Sequence, residues 1–267
     1  MDAIPLKPTE IWRAEGLRAG FPAASDGEIR DVGLLVHAGE KIALVGPEHG
    51  GRAMLFKVLA GLRPVRGGRL VTLGHELTEE PWWVDWDQLI PSTVRRKMGV
   101  LLDREGLLSN VSVREGLELL FRFKNGDSTR KHIEAARTMV DKLGHRFGIT
   151  DCLDKRPTLL TAAERRLAGL ARAFLSKPSV LLLENPTVGF GDLSRERLEN
   201  VMTAMFAESA RTIVVSTDNL RFARRFCPRW ILVDEGGIVF DGPATELIRD
   251  PDSTWGTRIR QLVGEAA

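Results

Sequence analysis

Apolar residues along this chain arrive in two rhythms. Short, nearly unbroken runs of Val, Ile and Leu occur at Lys41 to Val45, Ser179 to Leu183, Thr212 to Ser216 and Trp230 to Asp234. Such runs, bounded by turn residues, predict strands buried on both faces. Between them the spacing is helical. Leu55, Val58 and Leu59 share a face after residue 51, and Val113 to Gly148 reads as helix interrupted near Asn125, Gly126 and Asp127. Ala162 to Leu175, Leu193 to Ala207 and Leu220 to Arg225 follow as further helices. A last strand over Gly237 to Gly242 and a helix over Pro243 to Arg249 close the pattern. Strands alternating with helices imply a mostly parallel sheet covered by helices. Two regions break the rhythm. The first forty residues predict short strands with turns. Arg69 to Arg96 reads as irregular and carries Trp82, Trp83 and Trp86, which suits a packed β insertion.

Composition narrows this picture. The 267 residues suit one large domain or two small ones, and 43% hydrophobic with 28% charged is a globular balance. A formal net charge of +2 gives no global field for nucleic acid. Cys152 and Cys227 are far apart and form no CxxC pair, which disfavours structural zinc or a disulfide framework. The five histidines (37, 49, 75, 132 and 145) lack metal-ligand spacing, so no metal site is expected. Met1 to Arg13 has no signal-peptide run, and no apolar stretch is long enough for a membrane span. Any work at a membrane is therefore expected to go through a partner.

The candidate chemistry begins after the strand at Lys41 to Val45. Gly46, Pro47, Glu48, His49, Gly50 and Gly51 form a glycine-rich turn, and Arg52, Ala53 and Met54 open a helix. Strand, glycine-rich turn and helix are the context of a phosphate-binding loop. Further landmarks recur in order: LAGL at 59–62 with Gly67-Gly68, GVLL at 99–102, Leu107 to Leu117, AGLARAFLSKP at 168–178, LLL at 181–183 with PT at 186–187, and IVFDGP at 238–243. In this order they resemble the ATP-binding cassette family over nearly the whole chain.

That resemblance implies an α/β P-loop NTPase cassette with a RecA-like core, an antiparallel β-subdomain and a helical subdomain. A single cassette would span 1–267, with the β-subdomain near 8–40 and 62–98 and the helical subdomain near 105–170. It also shows what chemistry is missing. A Walker A loop wraps phosphates with backbone N–H groups and adds a lysine and a metal-binding hydroxyl. Here Arg52 replaces the lysine, a non-conservative exchange, and Ala53 has no oxygen. His49 stands at a glycine position, where strain is expected. The Walker B aspartate and glutamate become Glu184 and Asn185, and Asn185 cannot act as a general base. Asp103 takes the place of the Q-loop glutamine and Thr217 that of the switch histidine. The signature LSGGQ reads Leu160, Thr161, Ala162, Ala163, Glu164, and the D-loop reads Val188 to Gly191. Phe21 is the nearest candidate to stack on adenine.

The resemblance thus implies a transporter subunit unable to hydrolyse ATP, for which ATP and Mg²⁺ are not expected as cofactors. Its partners would be a transmembrane permease, seated on the Leu107 to Leu120 region, and a second cassette. Its place would be the cytoplasmic face of the inner membrane. GLLSNVSVREGL at 106–117 is similar to the Mla-type ATPases of bacterial lipid transport. Two alternatives stand beside this reading: an active ATPase using Arg52, Glu184 and Asp103 or Glu105, and a soluble regulatory scaffold without a permease.

Overall fold

In chain order the elements are β1 (Glu10–Gly20), β2 (Glu28–His37), β3 (Lys41–Val45), α1 (Arg52–Leu59), β4 (Gly67–Thr72), β5 (His75–Leu77) and α2 (Ser92–Arg95). Next come β6 (Met98–Leu101), α3 (Val113–Asn125), α4 (Arg130–Phe147), α5 (Ala162–Phe174), β7 (Val180–Glu184) and α6 (Asp192–Phe206). After these come β8 (Thr212–Ser216), α7 (Leu220–Phe226), β9 (Arg229–Asp234), β10 (Gly237–Pro243) and α8 (Ala244–Arg249). The computed structural model describes residues 10–20, 27–77, 90–125, 130–208, 210–249, 255–257 and 259. Phe21 and the tryptophans at 82, 83 and 86 lie outside the described residues.

The chain divides into two compact units, one of Met1–Arg95 with Ala210–Ala267 and one of Arg96–Ser209. In the first unit, β3 lies between β8 and β9, parallel to both, and β10 pairs antiparallel with β9. The apolar run explains the position of β3: Ile42, Ala43, Leu44 and Val45 are all fully buried, as a strand covered on both faces must be. A second, antiparallel sheet has the order β2-β1-β4-β5. Trp12 anchors it, fully buried and donating its indole N–H to the carbonyl of Leu59 at 3.1 Å.

Three expectations need correcting here. The first forty residues hold two long strands of 11 and 10 residues, β1 and β2. Their register shifts between Glu10 and Trp12, Ala14 and Leu17, and Leu17 and Ala19. Such bulges break the two-residue alternation and disguise a long strand as several short ones. The stretch from Arg69 is likewise not irregular throughout, since β4 and β5 pair as a hairpin at Thr72 and His75. The face expected on α1 is also broader, because Met54 and Phe56 are buried with Leu55, Val58 and Leu59.

In the second unit, β6 and β7 pair in parallel from Met98 with Val180 to Leu101 with Leu183. Helix α5 packs on β6 so closely that a Cβ at Gly99 would lie 2.2 Å from the carbonyl oxygen of Ala173. Arg114 ties α3 to the rest of the helical region, bonding Asp141 at 2.6 Å and Asp154 at 2.7 Å. Phe147 and Phe174 meet edge to face, with ring centroids 5.2 Å apart. Among the described residues, no helix is long and apolar enough to cross a membrane.

Candidate functional site

The glycine-rich loop of the first unit is held by backbone. Gly46 has φ 143, and a Cβ there would fall 2.1 Å from the carbonyl oxygen of Val233; Gly51 has φ 99, with Glu28 O at 2.4 Å. Both positions need glycine for conformation and for space. The Gly50 N–H donates to Pro47 O at 3.2 Å, and Gly50 O accepts from the Gly236 N–H at 3.0 Å. The side chains of Glu48 and His49 are exposed. His49 has no positive φ, so the strain expected there is absent. The turn places its left-handed residues at Gly46 and Gly51 instead.

Gly51 caps α1 without a side-chain bond, and the first turn contains no acid. Its leading amides therefore keep the electrostatic character of a helix N-terminus. Arg52 is buried at 8% exposure and Met54 at 2%. Thr217, at the end of β8, is fully buried. Its N–H donates to Leu44 O at 3.2 Å, and its Oγ1 accepts the Asn219 N–H at 3.1 Å. Asn219 in turn caps α7 by accepting the Phe222 N–H. Thr217 is thus part of the turn that starts a helix.

The second unit brings Asp103 and Glu184 together. Glu184 ends β7 with 7% exposure, and its Oε2 accepts the backbone N–H of Asp103 at 2.9 Å. Asn185 follows with φ 44, a left-handed conformation that asparagine tolerates better than most residues. Its Oδ1 is buried, with no hydrogen-bond partner among the described residues.

The signature segment is a complete capping box. Thr161 Oγ1 accepts the Glu164 N–H at 3.2 Å, while Glu164 Oε2 accepts the Thr161 N–H and hydroxyl, each at 2.8 Å. Cys152 Sγ donates to Glu164 Oε1 at 3.0 Å. The bonds from Cys152 and from the amide and hydroxyl of Thr161 pull the Glu164 carboxyl down to about 2. Burial and the same carboxylate push the Cys152 thiol up to about 11. Leu160 is buried and Ala162 exposed. A Cβ at Gly189 would touch that of Ala162 at 2.9 Å, so the D-loop glycine packs on this turn.

Two contributors to this region escaped the sequence reading. Cys152 carried no motif. Arg166 is only 1% exposed, and it donates to Leu102 O at 2.8 Å with Asp103 Oδ1 at 3.4 Å. The legible signal was position: Arg166 shares a helical face with Leu170 and Ala173, both buried. A cation on an apolar stripe marks a buried bond.

Residues 29–188 match the family described as ABC transporter. The chain belongs to the ABC transporter family. Its cassette is 26% identical over 237 residues to the phosphonates import ATP-binding protein of Rhodopseudomonas palustris (strain HaA2), covering 84% of this chain and 79% of that protein. It is 26% identical over 218 residues to a methionine import ATP-binding protein of Pseudomonas aeruginosa (strain PAO1), covering 82% of this chain and 62% of that one. The fold is similar to a dimeric ATP-binding cassette in a post-hydrolysis state bound to ADP and phosphate. The TM-score is 0.75 at 20% identity, over 87% of this chain and 98% of that one. It is also similar to a cassette of Clostridium perfringens that is part of the ABC transporter complex cbiONQ, with TM-score 0.71 at 22% identity over 91% and 92% of the chains. The architecture is therefore the P-loop NTPase cassette, in a family whose cassettes bind ATP.

Proposed function

We propose that this chain is a degenerate ATP-binding-cassette subunit that supports a membrane transporter mechanically and does not hydrolyse ATP. The observation that carries this reading is the bond from the Asp103 amide to Glu184, beside Asn185. Glu184 is the acid left at the end of the Walker B strand, and its Oε2 is engaged by the protein. Asn185 cannot take a proton from water. Mg²⁺ demands oxygen ligands in near-ideal octahedral geometry, and the donors here are a poor match. Ala53 offers no oxygen and Thr217 uses its hydroxyl within a turn. In the signature loop, the Thr161 amide and hydroxyl already serve Glu164. Each such contact is worth roughly 2–4 kcal/mol at a charge-stabilising site, so losing several suffices to silence a slow enzyme.

The partners of this subunit are a transmembrane permease and a second cassette, at the cytoplasmic face of the inner membrane. The second unit carries an open groove of about 360 Å³ lined by Arg104, Glu105, Leu107, Pro157, Thr158 and Arg165. Leu108 and Leu159 are exposed on neighbouring turns, at 40% and 72%. A cytoplasmic helix of the permease seats here. The named relatives import phosphonates and methionine, so a polar solute stands beside a lipid as the cargo class. Capture of the tagged chain from detergent extracts brings down a multispan membrane protein; a clean monomer would contradict the subunit reading. ATP binding, if measurable by calorimetry, is expected to be independent of Mg²⁺, and strong Mg²⁺ dependence would contradict the account of the donors.

One observation favours the second reading, an active enzyme. The amides opening α1 have no side-chain cap and no acid in the first turn, which favours an anion at this terminus. Hydrolysis would then depend on Arg52, Glu184 and Asp103 or Glu105.

A further inference from the structure

We propose that Arg166 is a positioning residue that locks the loop at 102–105 in one conformation, with or without nucleotide, and so fixes one wall of the groove. The proposal rests on the reading of this chain as a non-hydrolysing subunit and adds how its docking surface is kept in shape. Two arginines of α5 grip the loop. Arg166 holds the carbonyl of Leu102 at 2.8 Å and faces Asp103 Oδ1 at 3.4 Å. Arg172 donates to Val100 O at 2.7 Å and to Glu105 O at 3.1 Å. From the other side, Glu184 takes the Asp103 amide.

Sterics close the same joint. A Cβ on Gly169 would meet Leu101 Cδ1 and Glu105 Cβ, each at 2.9 Å. A loop that switches with a ligand needs few buried contacts, because local opening must be cheap. This loop has the opposite construction. Arg166 Nε is buried with no partner among the described residues. Burying a cation with an unmet donor is costly, and the bonds to Leu102 O and Asp103 tie that cost to a single loop conformation. The gripped segment is also the one that presents Arg104 and Glu105 to the groove, and Arg165 beside Arg166 lines that groove as well.

Hydrogen exchange on the full chain, with and without Mg²⁺·ATP, tests this. In the unaltered protein, exchange across residues 100–106 is expected to be the same in both conditions. Arg166→Gln and Arg166→Met are expected to speed exchange there by about tenfold, leaving 212–216 unchanged. Arg166→Lys, which keeps a donor for Leu102 O, is expected to restore part of the protection. Three results would overturn the lock: nucleotide-dependent exchange at 100–106 in the unaltered protein, no effect of either variant, or equal acceleration at 212–216. Phosphate release from the same samples separates the two claims. Hydrolysis with an insensitive loop sinks the proposed function and leaves the lock, whereas a sensitive loop without hydrolysis does the reverse.

Discussion

The loop at 46–51 and the loop at 102–105 are held in opposite ways. The first is fixed by backbone packed on backbone: Gly46 against Val233, Gly51 against Glu28, and Gly50 bonded to Gly236. Its side chains at 48 and 49 face solvent. The second is fixed by side chains reaching in from α5 and β7, through Arg166, Arg172 and Glu184. Backbone packing of this kind is a requirement of the fold itself, whatever chemistry the loop serves. In the second loop the shape depends on particular side chains, which bind the protein's own backbone.

The largest expected effect breaks the backbone-held loop. Gly46→Ala forces a left-handed backbone and a Cβ onto the Val233 carbonyl, at a cost of about 2–4 kcal/mol. His49→Ala, three residues on, is expected to stay within about 0.5 kcal/mol. Thermal or urea unfolding of the two variants reads the contrast, and equal effects would dissolve it. Next, in the side-chain-held unit, Arg114→Ala frees Asp141 and Asp154. The pair is part-exposed, so the loss is about 1 kcal/mol, read by urea unfolding.

A smaller effect concerns pH. The Glu164 carboxyl is lowered to about 2 from an ordinary value of 4.5. A depressed carboxyl contributes stability above its unfolded value and loses it as pH falls through the folded one. Acid unfolding of Glu164→Gln should therefore be less steep between about pH 4.5 and about pH 2. An unchanged acid profile would show that the capping box holds no charge. Smallest is the thiol chemistry. Burial raises Cys152 to about 11 and pushes Cys227 up as well. Iodoacetamide at pH 8 should label neither cysteine in the folded chain and both once it is unfolded, as intact-mass analysis would read.

The parts of the fold legible in the sequence were those with one clear physical cause. β8 occupies the TIVVS run from Thr212 to Ser216, because an apolar β-branched stretch admits few alternatives. Helix α5 begins at Ala162 after Thr161, with Glu164 completing the box. The β-subdomain was less legible, since bulges in β1 scramble the alternation that marks a strand. In the site, motif positions could be read by comparison with the family's motifs, but their partners could not. Nothing in the order of residues says that the Asp103 amide reaches Glu184, 81 positions away. Arg166 was visible only as a charge on a buried stripe.

The most direct test of the central claim is steady-state phosphate release by the purified subunit and by its permease complex. The account predicts background release from the isolated chain, and no effect of Arg52→Ala or Asn185→Ala on any release by the complex. ATP-dependent release that either substitution abolishes would contradict it.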